Sequence, residues 1–207
     1  MATPKPQIRS LFATPVCQHF LPIALEANAA LKPAILERAH MNGASERSWR
    51  SSPDLASWAG AHAETLFRVV RELADSLTAT RAGARVSLEW KLDAFAAVRG
   101  QGAKEGPARA PNAFWSGVYY VDDGYQNSDD ENLGGECEFA DPRGPHCART
   151  APQLAFRVPG GLTVGQSEAI RPKSGMILLH PSWMTRSERA FSGPSPRITI
   201  EFDLAAP

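Results

Sequence analysis

Hydrophobic positions recur at helical spacing through the first eighty residues and alternate along short segments after that. From Pro22 to His40, Leu25, Ala29, Leu31, Ile35 and Leu36 predict a helix that Pro33 is expected to kink or divide. A second helix is better signalled. Ser52 reads as its N-cap, Pro53 as its first residue and Asp54 as a first-turn acid. Leu55, Trp58, Ala61, Leu66, Val69, Val70, Leu73 and Leu77 form its apolar stripe, and Gly83 is expected to end it.

Beyond Gly83, short strand-like segments are separated by Gly, Pro, Asp and Ser clusters, as in an antiparallel β domain. The predicted strands are 85–92, 95–98, 113–122, 137–140, 153–158, 175–180 and 197–204. In the last of these, Ile198, Ile200 and Phe202 oppose Thr199 and Glu201. Two longer loops intervene, acidic over 122–133 and rich in Arg and Pro over 141–152. The expected architecture is mainly β: a single domain in which a helical support region, 1–83, packs on one face of a β-sandwich core, 84–207.

Composition narrows the function classes. Twenty-two basic residues balance twenty-two acidic ones, so no nucleic-acid or anionic-membrane partner is expected. The longest apolar runs are too short to span a bilayer, and the opening residues lack a signal-peptide core. Cys17, Cys137 and Cys147 are widely spaced, which suggests no disulfide framework and favours a cytoplasmic setting.

Several blocks then stand in a telling order. They are Leu11-Phe12-Ala13-Thr14-Pro15-Val16, Trp49 with Ser52, Trp115-Ser116-Gly117-Val118-Tyr119-Tyr120, Gly134-Gly135, Asp141-Pro142-Arg143, Gly175, Pro181-Ser182-Trp183 and Arg197. Together they resemble the 2-oxoglutarate/Fe(II)-dependent oxygenases, and among them a small bacterial and phage subgroup of about this length. The resemblance implies a double-stranded β-helix, a cupin-like jelly roll with helices on one sheet. It also implies a ferrous ion held by two His and a third protein ligand, with 2-oxoglutarate as co-substrate.

At the positions where the resemblance implies a His-x-His pair stand Ala108-Arg109-Ala110. Where it implies the third ligand, eleven residues before Arg197, stands Arg186. A methyl group has no lone pair, and a guanidinium only donates. Arg197 and Thr199 match the Arg-x-Ser/Thr pair that grips the co-substrate's distal carboxylate in that family. Trp115 and Tyr119 share a strand face and are expected to line the pocket, although core packing explains them equally well.

The resulting expectation is an oxygenase-like protein with a degenerate metal site. No bound metal is expected, and Arg186 and Arg197 make a positive pocket for a small dianion such as 2-oxoglutarate. An active Fe(II) hydroxylase with ligands elsewhere is the rival reading. A non-catalytic scaffold, binding a protein partner or a second copy through the 122–133 or 141–152 loops, is the third.

Other chemistry is weaker. Glu136, Cys137, Glu138, His146, Cys147 and His180 lack compact metal-ligand spacing. Neither Ser116 nor Ser182 sits in a Gly-x-Ser-x-Gly elbow, and adjacent His146 and Cys147 point apart on extended chain. The acids of the 122–133 loop lack the alternation of a calcium loop.

Overall fold

The computed structural model describes residues 11–42, 48–144, 149–158, 161–163 and 167–207. Its first helix, α1, spans Ala24–Met41 and buries Ala27, Leu31, Ile35 and Ala39, one residue per turn. Leu25, expected on that stripe, is 91% exposed. The helix also runs unbroken through Pro33. That proline lies on the exposed face, where water can satisfy the carbonyl left without its amide partner.

The second helix, α2, spans Gly60–Leu77 rather than starting at Ser52. A 3-10 turn at Leu55–Ser57 precedes it, and Gly60 sits at φ +71, a left-handed conformation that keeps the two pieces apart. It ends at Leu77, before Gly83, which instead closes a turn with its amide donated to the Thr80 carbonyl.

The described residues form twelve strands. They are β1 (Cys17–Phe20), β2 (Ser48–Arg50), β3 (Lys91–Arg99), β4 (Glu105–Ala108), β5 (Trp115–Asp122) and β6 (Cys137–Ala140), then β7 (Phe156–Val158), β8 (Gly161–Thr163), β9 (Ser167–Ile170), β10 (Met176–Pro181), β11 (Arg186–Glu188) and β12 (Arg197–Ala205). A six-stranded antiparallel sheet has the order β1-β10-β5-β12-β3-β2, and a four-stranded sheet the order β4-β11-β6-β9. β7 and β8 form a separate ribbon. The strand expected over 85–92 begins only at Lys91, because Lys91 already pairs with Ala205 near the end of β12, leaving residues 85–90 no ladder to join.

Region 1–83 is more than a helical support, since it supplies β1 and β2, the two edge strands of the large sheet. The helices cover one face of that sheet. Leu31, Ile35, Leu66 and Val70 pack there against Trp115, Tyr119, Ile198, Ile200 and Phe202. The opposite face meets the small sheet through a lesser apolar cluster of Val118, Tyr120, Cys137, Phe139, Met176, Leu178 and Met184. Strand alternation thus sends every second residue of β5 and β12 into the space between the sheets. No helix among the described residues is long and apolar enough to cross a membrane.

Candidate functional site

β12 turns Arg197, Thr199, Glu201 and Asp203 toward the small sheet, while Ile198, Ile200, Phe202 and Leu204 face the helices. β11 answers from the other side with Arg186 and Glu188, both buried. The register sets Arg186 directly across from Ala108 on β4 and from Phe139 on β6. The three positions where the resemblance implies metal ligands therefore meet, because Ala108, Ala110 and Arg186 all line one cavity of about 410 Å³.

Arg186 is buried as an ion-network member. Its Nη2 lies 2.8 Å from Glu105 Oε2 and 3.9 Å from Glu201 Oε1, and its Nη1 lies 4.0 Å from Glu188 Oε1. Arg99 on β3 adds contacts of 2.5 Å to Glu201 and 3.2 Å to Glu105, and Arg50 on β2 reaches Glu201 at 3.1 Å. Burial works against the charge on Arg186, but Glu105, Glu188 and Glu201 more than offset it and raise its pKa. Burial likewise disfavours ionised Glu201, yet Arg99 and Arg186 hold its pKa below the usual range. For Glu105 desolvation prevails over its arginine neighbours, and its pKa is raised.

Arg197 is 1% exposed and already engaged. It donates Nη1 to the Gly135 carbonyl at 2.5 Å and Nε to the Asp123 carbonyl at 3.2 Å. Its guanidinium lies over the Phe191 ring at 4.4 Å and the Tyr125 ring at 5.2 Å. Gly135, at φ +79, must be glycine here, since a Cβ would stand 2.6 Å from Arg197 Nη2. Glu188 Oε2 approaches Arg197 Nη1 at 3.8 Å. Thr199 Oγ1 accepts from Arg99 Nη1 at 3.1 Å.

Two expectations are corrected. Arg186 and Arg197 do not share one pocket: Arg186 lines the cavity and Arg197 does not, and Glu105, Glu188 and Glu201 face them from β4, β11 and β12. Trp115 and Tyr119 do not line the cavity. They point to the helices, where Trp115 Nε1 donates to Thr78 Oγ1 and Tyr119 Oη to Asn28 Oδ1. Their neighbours Ser116 and Tyr120 take the interior face of β5. Arg109 is exposed at the cavity rim and donates Nε to Thr185 Oγ1 at 2.7 Å.

Donor chemistry decides whether iron fits. The three converging positions offer two methyl groups and a cation, none with a lone pair. Among the described residues no group of three His, Cys, Asp or Glu converges to hold a metal. Cys137 is buried between the sheets, and desolvation lifts its thiol to about 11, which disfavours a thiolate. Glu138 pairs with Arg189 instead, and His146 and Cys147 lie outside the described residues. Ser182 Oγ donates to the Ala113 carbonyl and Ser116 Oγ to Asp203, so neither serine gives its proton to an imidazole, although His180 is the cross-strand partner of Ser116. The acidic loop is held by Arg171, which donates to the Ser128 and Asp130 carbonyls.

The glutamates and Arg99 escaped the sequence reading, although a signal existed. Arg197, Thr199, Glu201 and Asp203 occupy alternate positions on one strand, so a single face of that strand is wholly polar. If the other face is core, this one holds either solvent or an internal network.

His180 is 3% exposed, and burial lowers its pKa from 6.5 to about 4. The folded state therefore disfavours the protonated ring. The stability this represents is complete above pH 6.5 and is lost as pH falls through 6.5 toward 4, about 3 kcal/mol in all. Urea unfolding across this range should show the loss, and His180→Asn should flatten it. An unchanged acid dependence in that variant would refute the assignment to His180.

Comparison with known proteins adds context. A family model described as "Putative 2OG-Fe(II) oxygenase" matches residues 96–203. No curated protein matches the sequence. Among solved structures, a Pseudomonas putida prolyl-4-hydroxylase superposes with a TM-score of 0.60 at 15% identity, over 95% of each chain. AviO1 from Streptomyces viridochromogenes gives 0.60 at 14% identity, covering 94% of this chain and 90% of that one. HygX from Streptomyces hygroscopicus, solved with nickel and 2-oxoglutarate bound, gives 0.58 at 13% identity over 93% and 83%. At such identities the likeness speaks to the fold.

Proposed function

This chain belongs to the 2OG-Fe(II) oxygenase family, and from that premise we propose that it is an iron-free member, working as a small-molecule binding protein rather than as a hydroxylase. The observation that carries this reading is the cross-strand pairing of Arg186 with Ala108, which sets a buried guanidinium where the resemblance implies iron ligands. A ferrous ion brought there would meet a fixed positive charge at short range and gain no ligand from Ala108 or Ala110. Family members use iron to activate oxygen, with 2-oxoglutarate as the co-substrate. In this chain the residues assigned to those tasks are committed elsewhere. Arg186 neutralises Glu105 and Glu201, and Arg197 is held by two backbone carbonyls with Glu188 beside it.

The dianion expected from the sequence is disfavoured by the same network, because it would compete with Glu105, Glu188 and Glu201 for these guanidinium groups. What remains open is the cavity beside the network. A cytoplasmic setting belongs to the same proposal and is supported by the free thiols of Cys17 and Cys137.

Anaerobic reconstitution with Fe(II), followed by metal analysis and a 2-oxoglutarate consumption assay, tests the reading. The expected results are no stoichiometric iron, no turnover and no heat on titration with 2-oxoglutarate alone. Stoichiometric iron with 2-oxoglutarate consumption would establish the rival, an active hydroxylase.

A further inference from the structure

The register of the large sheet lays four polar residues in one row across the cavity. His180 on β10 stands opposite Ser116 on β5, Ser116 opposite Asp203 on β12, and Asp203 opposite Asp93 on β3. All four line the same space of about 410 Å³, a size suited to a small organic molecule.

Every member of the row presents an acceptor. Ser116 spends its proton on Asp203 Oδ1 at 2.7 Å, leaving its lone pairs. His180 Nδ1 lies 3.0 Å from the Pro181 carbonyl, which can only accept, so Nδ1 carries the proton and Nε2 the lone pair. That Nε2 is buried and has no partner. Asp93 and Asp203 are directly opposed like charges, an arrangement that destabilises a sheet unless something neutralises it. Burial also raises the pKa of Asp203, outweighing the Ser116 hydroxyl and the charges of Arg50 and Arg186, neither of which is paired with it.

The cations lining the cavity do not supply that partner. Arg50 is bound to Glu201 and Arg186 to Glu105. Arg109 leans on Thr185 at the rim. Lys91 is exposed at the mouth, and among the described residues it makes no ion pair with Asp93 or Asp203. The floor is therefore rich in acceptors, and none of these cations forms a direct ion pair with Asp93 or Asp203.

We propose that this row binds a small organic amine, its primary ammonium group seated at the Asp203–Asp93 pair and the rest of the molecule along the row toward Ser116 and His180. An ammonium offers three donors and one positive charge to acceptors that have neither. The inference rests on the iron-free reading of this interior and gives that cavity its ligand class.

Calorimetric titration of the full chain with 1,4-diaminobutane and with 4-aminobutyrate, against 1,4-butanediol as the uncharged control, tests it. Binding of either ammonium probe, with none for the diol, is the expected result. Asp93→Asn and Asp203→Asn should each weaken that binding by roughly tenfold or more. Glu89→Gln, an exposed change outside the cavity, should leave it unaltered. Asp93 is exposed, so its variant tests the site without disturbing the core. The proposal is overturned if neither amine binds, if the diol binds equally, or if Glu89→Gln weakens binding as much as Asp93→Asn. Stoichiometric iron in the native chain would instead remove the iron-free reading, whatever the amines do. A silent amine titration in a chain that ignores iron removes only the ammonium site.

Discussion

Replacing Arg186 with methionine is expected to lower stability by about 3–5 kcal/mol, the usual consequence of removing one partner from a buried ion pair. For a chain of this size that corresponds to a drop in Tm of roughly 10 °C. Methionine fills much of the same volume, so the loss reports charge rather than a cavity. Glu188 is left worst placed, because it is 5% exposed and, among the described residues, its remaining ion pair within 4 Å is with Arg197 at 3.8 Å. Glu105 and Glu201 retain Arg99. Adding Glu188→Gln should therefore restore part of the lost stability, a positive coupling in a double-mutant cycle. The deficit should also narrow as pH falls. Carboxylates deprived of the guanidinium take up protons at higher pH, and their folded-state pKa values rise, so stability is lost as pH climbs through them. An Arg186→Met melting curve indistinguishable from the native one would mean that the network contributes nothing.

The second large effect is a gain. The triple variant Ala108→His, Ala110→His, Arg186→His is expected to take up about one divalent ion per chain, against none expected for the native protein. Each change replaces a group without a lone pair by an imidazole, and all three positions line one cavity. The charge balance is favourable as well. Removing the guanidinium frees Glu105, Glu188 and Glu201, and a dication then restores the compensation. Cobalt(II) absorption would report the ligand field directly, without any need for turnover. A folded triple variant that binds cobalt no better than the native chain would sink the assignment of these positions.

The large strands were legible because each carries its own pattern. β12 alternates strictly, and β5 and β10 are apolar runs flanked by turn residues. β4 and β11 were not legible. They hold four and three residues, Glu105–Ala108 and Arg186–Glu188, and their sequences read as polar loop. Their strand character comes from pairing with each other and with β6, which no local propensity encodes. The site divides along the same line. Ala108, Ala110 and Arg186 were found by their places in a motif. Glu105, Glu188 and Arg99 belong to no motif and join the site only when the sheets close. Likewise, β5 alternation alone leaves open which face meets the helices, so the sequence by itself does not choose between pocket and core for Trp115 and Tyr119.

The placement of β1 and β2 at the two rims of the large sheet also bears on how such a chain can be divided. β1 zips to β10 and β2 to β3, so the backbone ladder of the barrel is completed on both sides by residues from before the second helix. β10 and β3 are thereby paired on both sides, and the free edges of the sheet pass to β1 and β2, of four and three residues, short edges that offer little length for another strand to pair with. The boundary near residue 84 is thus a change in sequence texture and not a seam. The N-terminal third acts as the selvedge of the fabric, shifting its free edges from long strands to short ones.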